Sequence, residues 1–427
     1  MSVDFYKEEG PLGYLANYSK HGFYKNGVYY KTVEHYYQSE KFADEDIKNK
    51  IINAATPKEA SNIGRDRKNI RIPNFKKIKN DVMYDGIYEK FSQNPDIRAK
   101  LIETGNEEIR EMTLNEYYWG VGSDLSGANN VGKILMKVRE KVKEDVLNKM
   151  IDNCRDKKIY VIGHSHPDFD SVASSLILTK ILCSIGIDAV FAVRDTDFID
   201  NNLINDYIKE DYEVVKDYND KYFFLVDHNN LNGINKNQVV GCIDHHMITG
   251  EVEDIIEIEY ASCALLIYDL FDKKYNFDNE DQIIIGCSVL SDTEYLTSCR
   301  FNRISKDVFY KLDFYEDIDK FKHNYLEVCD FNLPIATNLE RYSKVYDIDG
   351  MKVKRSLIYS YSDDYEKYYH SYVYELKNNN IDLLIWCDYD SHTTYVDYNG
   401  NSFVYPIFTT STNMVIKYLK ENNYFGK

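Results

Sequence analysis

Histidine and aspartate side chains cluster in the middle of the chain, and each cluster follows a short apolar run. The first cluster places His164, Asp168 and Asp170 between Gly163 and Ser171. Imidazole mixed with several carboxylates suits divalent cations such as Mn²⁺, Mg²⁺, Co²⁺ or Fe²⁺. Two such ions close together activate a water molecule and clamp a phosphoryl group. The pattern therefore indicates a metal-dependent hydrolase, and its further clusters are Asp227-His228, Asp244-His245-His246 and Ser291-Asp292-Thr293.

The apolar runs before these clusters are predicted to be strands of one sheet. Short apolar segments that alternate with helical stretches favour a parallel α/β sheet, and ligands bind where the carboxyl ends of such strands emerge. The run 283–290 before Asp292 fits a strand or a helix equally well. The predicted strands are 159–162, 189–193, 222–226 and 239–243, and the predicted helices are 171–185 and 261–271.

Four motifs in this order resemble the DHH phosphoesterase superfamily, and most closely its manganese-dependent (family II) inorganic pyrophosphatases. They read G-H-x-x-P-D-x-D-S at 163–171, V-D-H-N at 226–229, I-D-H-H at 243–246 and L-S-D-T at 290–293. The resemblance implies two Mn²⁺ ions, with Mg²⁺ or Co²⁺ as alternatives, and a His246 that faces the phosphate of the substrate. The implied ligands are His164 and Asp168 for one ion, Asp170, His245 and Asp292 for the other, and Asp227 as the bridge.

The last part of the chain resembles the smaller, DHHA2-like substrate lobe of those pyrophosphatases. Tyr342-Ser-Lys-Val-Tyr346 stands where the family has a motif whose lysine binds phosphate, which makes Lys344 a candidate substrate ligand beside the reading as a solvated lysine. The family's late Ser-Arg-Lys motif is not found, and the corresponding tail 404–412 carries no cation. A small pyrophosphate would lose much of its charge clamp. We therefore expect a phosphoanhydride or phosphodiester in a nucleotide-like molecule.

Near the amino terminus, a carboxylate, an amide and an amine are spaced for one helix face. Glu34, Gln38 and Lys41 stand at i, i+4 and i+7. A carboxylate can stabilise an oxocarbenium-like centre, and an amine can trap an opened sugar as a Schiff base. A solvated helix face with one side-chain hydrogen bond explains the same spacing without any function.

Residues 5 to about 140 resemble the NADAR (YbiA-like) N-glycosidase family. Matching pieces include G-x-L-x-N-Y at 13–18, V-E-H-x-x-Q-x-x-K at 33–41, Gly64-Arg65, Glu111, W-G-x-G at 119–122 and G-x-N-x-x-G-K at 127–133. The chain departs from the family at Glu116, where Asp is usual, and at Phe75, where Trp is common. The implied catalytic residues are Glu34, Lys41 and Glu116, and the implied substrate contacts are Asn17, Gln38, Arg65, Trp119 and Asn129.

Composition divides the chain into differently charged parts. Residues 1–150 carry 25 basic and 23 acidic side chains, whereas the rest carries 27 and 47. The acidic part repels nucleic acid, and the basic stretch 65–79 could contact phosphates or be a solvated helix face. The eight cysteines follow residue 150 and mostly lie in apolar runs, which favours reduced thiols. Without a membrane-length apolar segment or a signal peptide, we expect a cytoplasmic protein; its Lys, Asn, Ile and Tyr content is typical of AT-rich genomes, and virus-encoded proteins acting in a host are among the candidates.

The sequence thus predicts a mainly helical α+β domain at 1–147, an α/β domain at 155–302 and a smaller α/β lobe at 303–427, with a helix over 138–149 leading into a linker. The leading hypothesis is a bifunctional hydrolase. One domain cleaves a base–ribose N-glycosidic bond in a nucleotide or ADP-ribosyl compound, and the other hydrolyses a phosphate linkage with two metal ions. In the alternative, the first domain only binds ADP-ribose or a nucleotide, a reading that the Glu116 departure favours. ADP-ribosylated nucleic acid is a less favoured partner than a small molecule.

Overall fold

A computed structural model describes residues 2–196, 202–293, 295–296, 298, 300–314, 331–348, 351–360, 362–388, 391, 393–405, 412–422 and 424. The chain divides into two compact units. The first comprises Met1–Ser165, Ser174–Asp195 and Asp211–Glu259, and the second comprises His166–Ala173, Thr196–Glu210 and Tyr260–Lys427. Each unit is described by itself.

Residues 2–154 form a mainly helical α+β fold, which is the fold class that the sequence predicts for the domain at 1–147. Three of its helices begin at side chains that accept hydrogen bonds from the first turn, namely Thr32, Asp44 and Thr56. Two small sheets accompany the helices, one pairing β1 with β4 in parallel and one pairing β2 with β3 as a hairpin. The elements are β1 (Ser2–Phe5), β2 (Phe23–Lys25), β3 (Val28–Tyr30), α1 (Val33–Ser39), α2 (Glu45–Asn53), α3 (Pro57–Arg65), α4 (Phe75–Gln93), α5 (Pro95–Glu103), β4 (Glu108–Glu111) and α6 (Asn130–Cys154).

Helix α6 continues past the point where the sequence favours a linker. It is 25 residues long, and its buried side chains recur along its whole length, from Val131 to Cys154. Near its end Asn153 Nδ2 donates to Val240 O at 3.1 Å, and Met150 lies so close to Gly241 that a Cβ there would approach Met150 Cγ to 2.7 Å. The expected linker is therefore the last part of a helix that packs on the following sheet.

That sheet has six strands, all parallel, in the order β10-β9-β8-β5-β6-β7. The apolar strands predicted from sequence are confirmed, and β9 runs one residue further than expected. The chain moves outward from β5 to one edge and then returns to place β8 on the other side of β5. Ligands bind at such a reversal of strand order. The strands are β5 (Ile159–Ile162), β6 (Ala189–Val193), β7 (Glu213–Val214), β8 (Tyr222–Val226), β9 (Val239–Asp244) and β10 (Ile255–Glu257).

Helices α7 (Phe169–Ser184) and α8 (Asn202–Tyr207) follow β5 and β6 along the chain. In the second unit, α9 (Cys263–Phe271) and α10 (Asn279–Asp292) contact one another, and α11 (Arg303–Phe309) follows them. The run 283–290 is therefore helical, which decides between the two sequence interpretations. Asp292 is the last residue of that helix.

A five-stranded mixed sheet forms the carboxy-terminal lobe, in the order β11-β12-β13-β14-β15. The buried strand expected at 381–386 is present two residues later. Among the described residues no helix joins enough length to enough apolar character to span a bilayer. The lobe comprises α12 (Ile335–Arg341), β11 (Ser343–Ile348), β12 (Met351–Ser360), α13 (Ser362–Glu375), β13 (Leu383–Asp388), β14 (Thr393–Tyr398), β15 (Asn401–Tyr405) and α14 (Thr412–Glu421). The tail 404–412 lies mostly outside the described residues.

Candidate functional site

In the first domain, Glu34, Gln38 and Lys41 form a buried chain of hydrogen bonds. Gln38 Nε2 donates to Glu34 Oε1 at 2.7 Å, and Lys41 Nζ donates to Gln38 Oε1 at 2.5 Å. Helix α1 ends at Ser39, so Lys41 lies beyond the helix and not on its face. All three side chains are nonetheless buried, at 5%, 2% and 7% exposure. These three side chains therefore do not form a solvated helix face.

A glycine makes room for this chain of hydrogen bonds. A Cβ on Gly64 of α3 would stand 2.0 Å from Gln38 Oε1, so a larger residue would displace the amide that joins the carboxylate to the amine. Arg65, the next residue, is exposed. Its charge nevertheless acts on the Lys41 ammonium. Gly64 therefore leaves space for the Gln38 side chain, and Arg65 acts on Lys41 through its charge.

The pKa of Lys41 falls to about 8, because burial disfavours its charge. The carboxylate of Glu34 opposes this shift, and Arg71 and Arg65 add to it. Aromatic rings flank the amine, with Lys41 Nζ 4.9 Å from the ring centre of Tyr37. Trp119 meets Tyr37 edge to face at 5.7 Å. Lys41 is therefore an amine that is partly neutral near physiological pH, beside an aromatic wall.

Glu111 is a half-buried carboxylate for which the sequence offered a family match but no role. Its Oε2 has no hydrogen-bond partner among the described residues. Burial, and after it the negative charges of Glu116 and Glu34, raise the pKa of Glu111 to about 7. Glu111 is therefore partly protonated near neutral pH. The sequence signal was its place among the residues that match the family.

The remaining predicted residues of this domain have different surroundings. Glu116 is exposed, and its Oε1 accepts from the backbone amides of Tyr118 at 3.0 Å and Trp119 at 3.3 Å. Asn129 holds β4 in place, because its Nδ2 donates to Ile109 O at 2.8 Å and its Oδ1 accepts from Glu111 N at 3.1 Å. Asn17 carries a buried Oδ1 without a hydrogen-bond partner among the described residues. An amide oxygen left in this way is suited to accept from a ligand hydroxyl.

In the first unit, the carboxyl ends of β5, β8 and β9 bring one aspartate and three histidines together. Asp227 Oδ2 lies 3.3 Å from His164 Nε2, and Asp227 Oδ1 lies 3.1 Å from His245 Nε2 and 3.7 Å from His246 Nδ1. Asp227, His245 and His246 each offer a ligand atom within 4.8 Å of the others. His246, which the sequence assigns to the substrate, thus also lies in a group that could hold a cation.

Asp227 has an unusual backbone conformation and an unusually low side-chain pKa. Its φ of 60° is in the left-handed region, which a residue with a Cβ rarely adopts and which recurs at functional sites. Burial alone would raise the pKa of Asp227, but the adjoining imidazoles of His164, His245 and His246 outweigh burial and hold this pKa well below its usual value. Asp227 is therefore an anion in a buried pocket of imidazoles.

The hydrogen bonds of His164 show that these side chains fit a divalent cation. A backbone carbonyl can only accept, so His164 Nδ1 donates to Ser165 O at 2.8 Å. In the neutral ring Nε2 then presents a lone pair toward the Asp227 carboxylate. Two acceptors that face one another need a shared proton or a cation between them, and imidazole with carboxylate is a common donor set for Mn²⁺, Fe²⁺ and Zn²⁺.

Supporting residues orient this group. Asp244 Oδ1 accepts from His245 N at 2.8 Å and lies 2.9 Å from His246 Nδ1. His228 is turned away, because Arg194 donates to its Nε2 at 2.9 Å and its Nδ1 donates to Val226 O at 2.9 Å. Burial and then the charge of Arg194 lower the pKa of His228 to about 4. His228 is therefore a neutral structural residue.

The other predicted ligands belong to the second unit. Asp170 is fully buried, and its two oxygens accept from Cys263 N at 2.6 Å and Ala264 N at 3.0 Å, at the start of α9. Asp168 Oδ1 accepts from Ser171 N at 3.0 Å. Asp292 Oδ2 receives a hydrogen bond from Arg300 at 3.2 Å, and Lys344 is exposed. Convergence of all six ligands on two ions stays a prediction.

Comparisons with known proteins match the two parts of the chain separately. Residues 4–143 match the NADAR domain family, and residues 158–290 match the DHH family, N-terminal domain. An N-glycosidase of Nostoc punctiforme is 38% identical over 146 residues, which cover 34% of this chain and 94% of the relative. N-glycosidase YbiA of Escherichia coli is 33% identical over 140 residues, covering 33% and 88%. The two family resemblances expected from the motifs are confirmed.

Among solved structures, one match is a Methanococcus jannaschii protein assigned as a family II inorganic pyrophosphatase. It is 21% identical, covers 57% of this chain and 88% of its own, and superposes with a TM-score of 0.44. The solution structure of E. coli YbiA is 32% identical, covers 34% and 89%, and has a TM-score of 0.33.

Proposed function

Because this chain belongs to the NADAR family through its first domain and carries a DHH-family domain after it, we propose that this two-domain hydrolase cleaves a base–ribose N-glycosidic bond and a phosphate linkage. The proposed substrates are nucleotide-like, with an ADP-ribosyl compound preferred, since it has a glycosidic bond at the ribose and a phosphoanhydride nearby. The observation that carries the proposal is the buried Glu34–Gln38–Lys41 chain beside Glu111.

In the proposed glycosidic step, the bond between ribose C1′ and the base nitrogen breaks and its electron pair leaves with the base. The Glu34 carboxylate stabilises positive charge at C1′, and the protonated Glu111 supplies the proton that the departing base takes up. Lys41, as a neutral amine, can add to C1′; the C1′–O4′ bond then breaks, O4′ takes up the proton that the nitrogen releases, and a Schiff base forms at C1′. Addition of a water molecule to this Schiff base releases the sugar and restores the amine. Trp119 offers a surface for stacking, and Asn17, Gln38, Arg65 and Asn129 are proposed contacts to sugar or phosphate.

For the second domain, we propose that His164 and Asp168 would hold one divalent cation, that Asp170, His245 and Asp292 would hold another, and that Asp227 would be shared by both. When bound, such cations lower the pKa of a water and neutralise phosphate charge, with Mn²⁺ preferred over Mg²⁺ or Co²⁺. Asp244 keeps the imidazole of His246 oriented through Nδ1, which supports a role for His246 as a proton donor to a phosphate oxygen. Lys344 is the proposed phosphate contact in the smaller lobe. A cytoplasmic location also remains a proposal.

Glu116 supports a second candidate function, in which the first domain only binds ADP-ribose or a nucleotide. Its carboxylate is engaged with two backbone amides, where it shapes the Trp119 loop and need not do chemistry. This version keeps the phosphoesterase and removes base release.

Base release by the full chain separates the two versions. We expect ADP-ribosylated guanine or a ribosylated pyrimidine to yield free base, detected by mass spectrometry, and Glu34→Gln to slow this about a hundredfold or more. The matched control Glu45→Gln alters an exposed acid of α2 and should leave the rate unchanged. Calorimetric binding without release from any such substrate would favour the binding module.

A further inference from the structure

The carboxy-terminal sheet holds a cluster of cationic and hydroxyl groups on one face, which its register defines. In the antiparallel pair β11–β12, Lys344 stands opposite Arg355. Side chains directly opposite one another project from the same face, and so do residues two apart on one strand. Tyr346 therefore shares this face with Lys344 and Arg355. Arg355 NH2 donates to the Tyr346 hydroxyl at 2.9 Å.

Arg355 is a buried arginine whose charge no described acid neutralises. Only 9% of its surface is exposed, and its Nε has no hydrogen-bond partner among the described residues. Its other contact is a donation from NH1 to Tyr342 O at 3.1 Å. No carboxylate in the described part of the chain lies within ion-pair distance of Arg355 or Lys344.

The neighbouring lysine on β12 differs from Arg355 because its charge is neutralised by an acid of the same lobe. Lys354 faces the opposite side of the sheet and pairs with Glu340 at 2.6 Å. A structural role for Arg355 would explain its two neutral acceptors but not the missing anion. Burying a charge without a counter-charge is costly, so an unpaired guanidinium is expected where an external anion completes the site.

The start of α14 adds to the positive character of this place. Thr412 is the first residue of this ten-residue helix, and its side chain bonds to the Tyr346 hydroxyl. Helix amino termini attract anions through their free N–H groups, and the first turn of α14 has no acid that would fill that role. Burial alone would raise the pKa of Tyr346, but the charges of Arg355 and Lys344, together with the hydrogen bonds to Thr412 and Arg355, leave this pKa below its usual value.

We propose that Arg355, together with Lys344, Tyr346 and the start of α14, forms a phosphate-binding site in the carboxy-terminal lobe. The planar guanidinium of Arg355 offers several N–H donors to phosphate oxygens. That the bound phosphate belongs to the substrate rests on the proposed phosphoesterase function; the anion site itself does not.

Titration calorimetry of the full chain with inorganic pyrophosphate, in EDTA and without divalent cations, tests the site. We expect Arg355→Gln to weaken binding about tenfold or more, the loss of a charge-assisted contact. Lys354→Gln removes a cation from the same strand but the other face, and should change binding less than about twofold. Equal weakening by both variants, no effect of Arg355→Gln, or no binding by the native chain overturns the proposal.

If Arg355→Gln does not fold, as judged by circular dichroism, Lys344→Gln at its exposed position becomes decisive. Weakening of about threefold or more supports the site, and unchanged affinity overturns it. The outcome is separable from the proposed function. If pyrophosphate binding depends on Arg355 but the chain hydrolyses no phosphate linkage, the anion site is supported and the proposed function is overturned. If the chain hydrolyses a phosphate linkage but binding does not depend on Arg355, the function is supported and the anion site is overturned.

Discussion

At the scale of single residues, burial in the first domain shifts the pKa values of one acid and one amine toward neutral pH. The free energy needed to charge a buried group shifts its pKa toward the neutral form, so Glu111 moves up to about 7 and Lys41 down to about 8. An acid and an amine thereby become useful at the same, near-neutral pH. Sequence alone names both residues, but the burial that shifts them follows only from the packing around α1 and β4.

Glu111→Gln should lower kcat for base release about a hundredfold while KM changes little, because the amide keeps the shape but cannot transfer a proton. A group that must be protonated loses activity as pH rises through its pKa. The native rate should therefore fall above about pH 7, and this limb should be absent in the variant. Steady-state rates between pH 5.5 and 9 measure both effects. Glu108→Gln, at an exposed position of the same strand, should behave as native, and an unaltered pH profile in Glu111→Gln would exclude the proton donor.

In the second domain, Asp227→Asn should weaken Mn²⁺ binding about a hundredfold or more and abolish phosphate release. The substitution removes the negative charge that lies within ion-pair distance of His164 and His245, and an amide is a poor ligand in its place. Calorimetry with Mn²⁺ and phosphate release with and without EDTA measure this. Asp188→Asn, an exposed acid before β6, is the control. Native-like Mn²⁺ affinity in Asp227→Asn would show that the histidine group is not a metal site.

At the scale of elements, α6 takes part in two cores. Its amino-terminal half packs within the first domain, and Met150 near its end packs on β9 at Gly241. The predicted strands agree with the structure closely, because short apolar runs between turn residues leave little choice of register. The end of α6 was missed because its charged stretch at 138–149 looks like a surface helix until the sheet it covers is known.

The contact between α6 and β9 can be measured with a double-mutant cycle. Met150→Ala should cost about 2–5 kcal/mol in the free energy of unfolding, and Gly241→Ala about 1–3 kcal/mol through overpacking. Their combination should cost at least about 1 kcal/mol less than the sum, since Met150→Ala removes Cγ, the atom that the new Cβ would approach most closely. Urea unfolding followed by circular dichroism gives the three values. Met136→Ala, further back in α6, should be additive with Gly241→Ala, and additivity at Met150 would contradict the contact.

At the scale of the whole molecule, the motifs in the sequence identify both families, both sets of candidate residues and the parallel sheet. What the motifs do not reveal is which side chains lack a hydrogen-bond partner. Arg355 lies in no motif, and Glu111 and Asn17 belong to motifs that give no sign of their unpaired atoms, which become visible only when distant elements enclose them. Asp292 illustrates a different case: its role as a ligand stays a prediction, whereas the structure decides that the run before it is a helix and not a strand.

The two activities should be separable by single substitutions, because each proposed set of catalytic residues lies in its own domain. Glu34→Gln should retain native Mn²⁺-dependent phosphate release, and Asp227→Asn should retain native base release, each within about twofold. Both assays on the same preparations, with an ADP-ribosyl substrate, measure this. Loss of both activities in either folded variant would mean that the two reactions are obligatorily coupled.

The shared helix α6 also limits how such a gene can change over time. A stop codon after the first domain would leave the apolar residues at 146–154 exposed to water, and a start codon after it would strip the sheet of a covering helix. Either shortened product invites aggregation and proteolysis. Once joined in this way, the two halves are inherited as a pair, in a one-to-one ratio that expression control cannot alter.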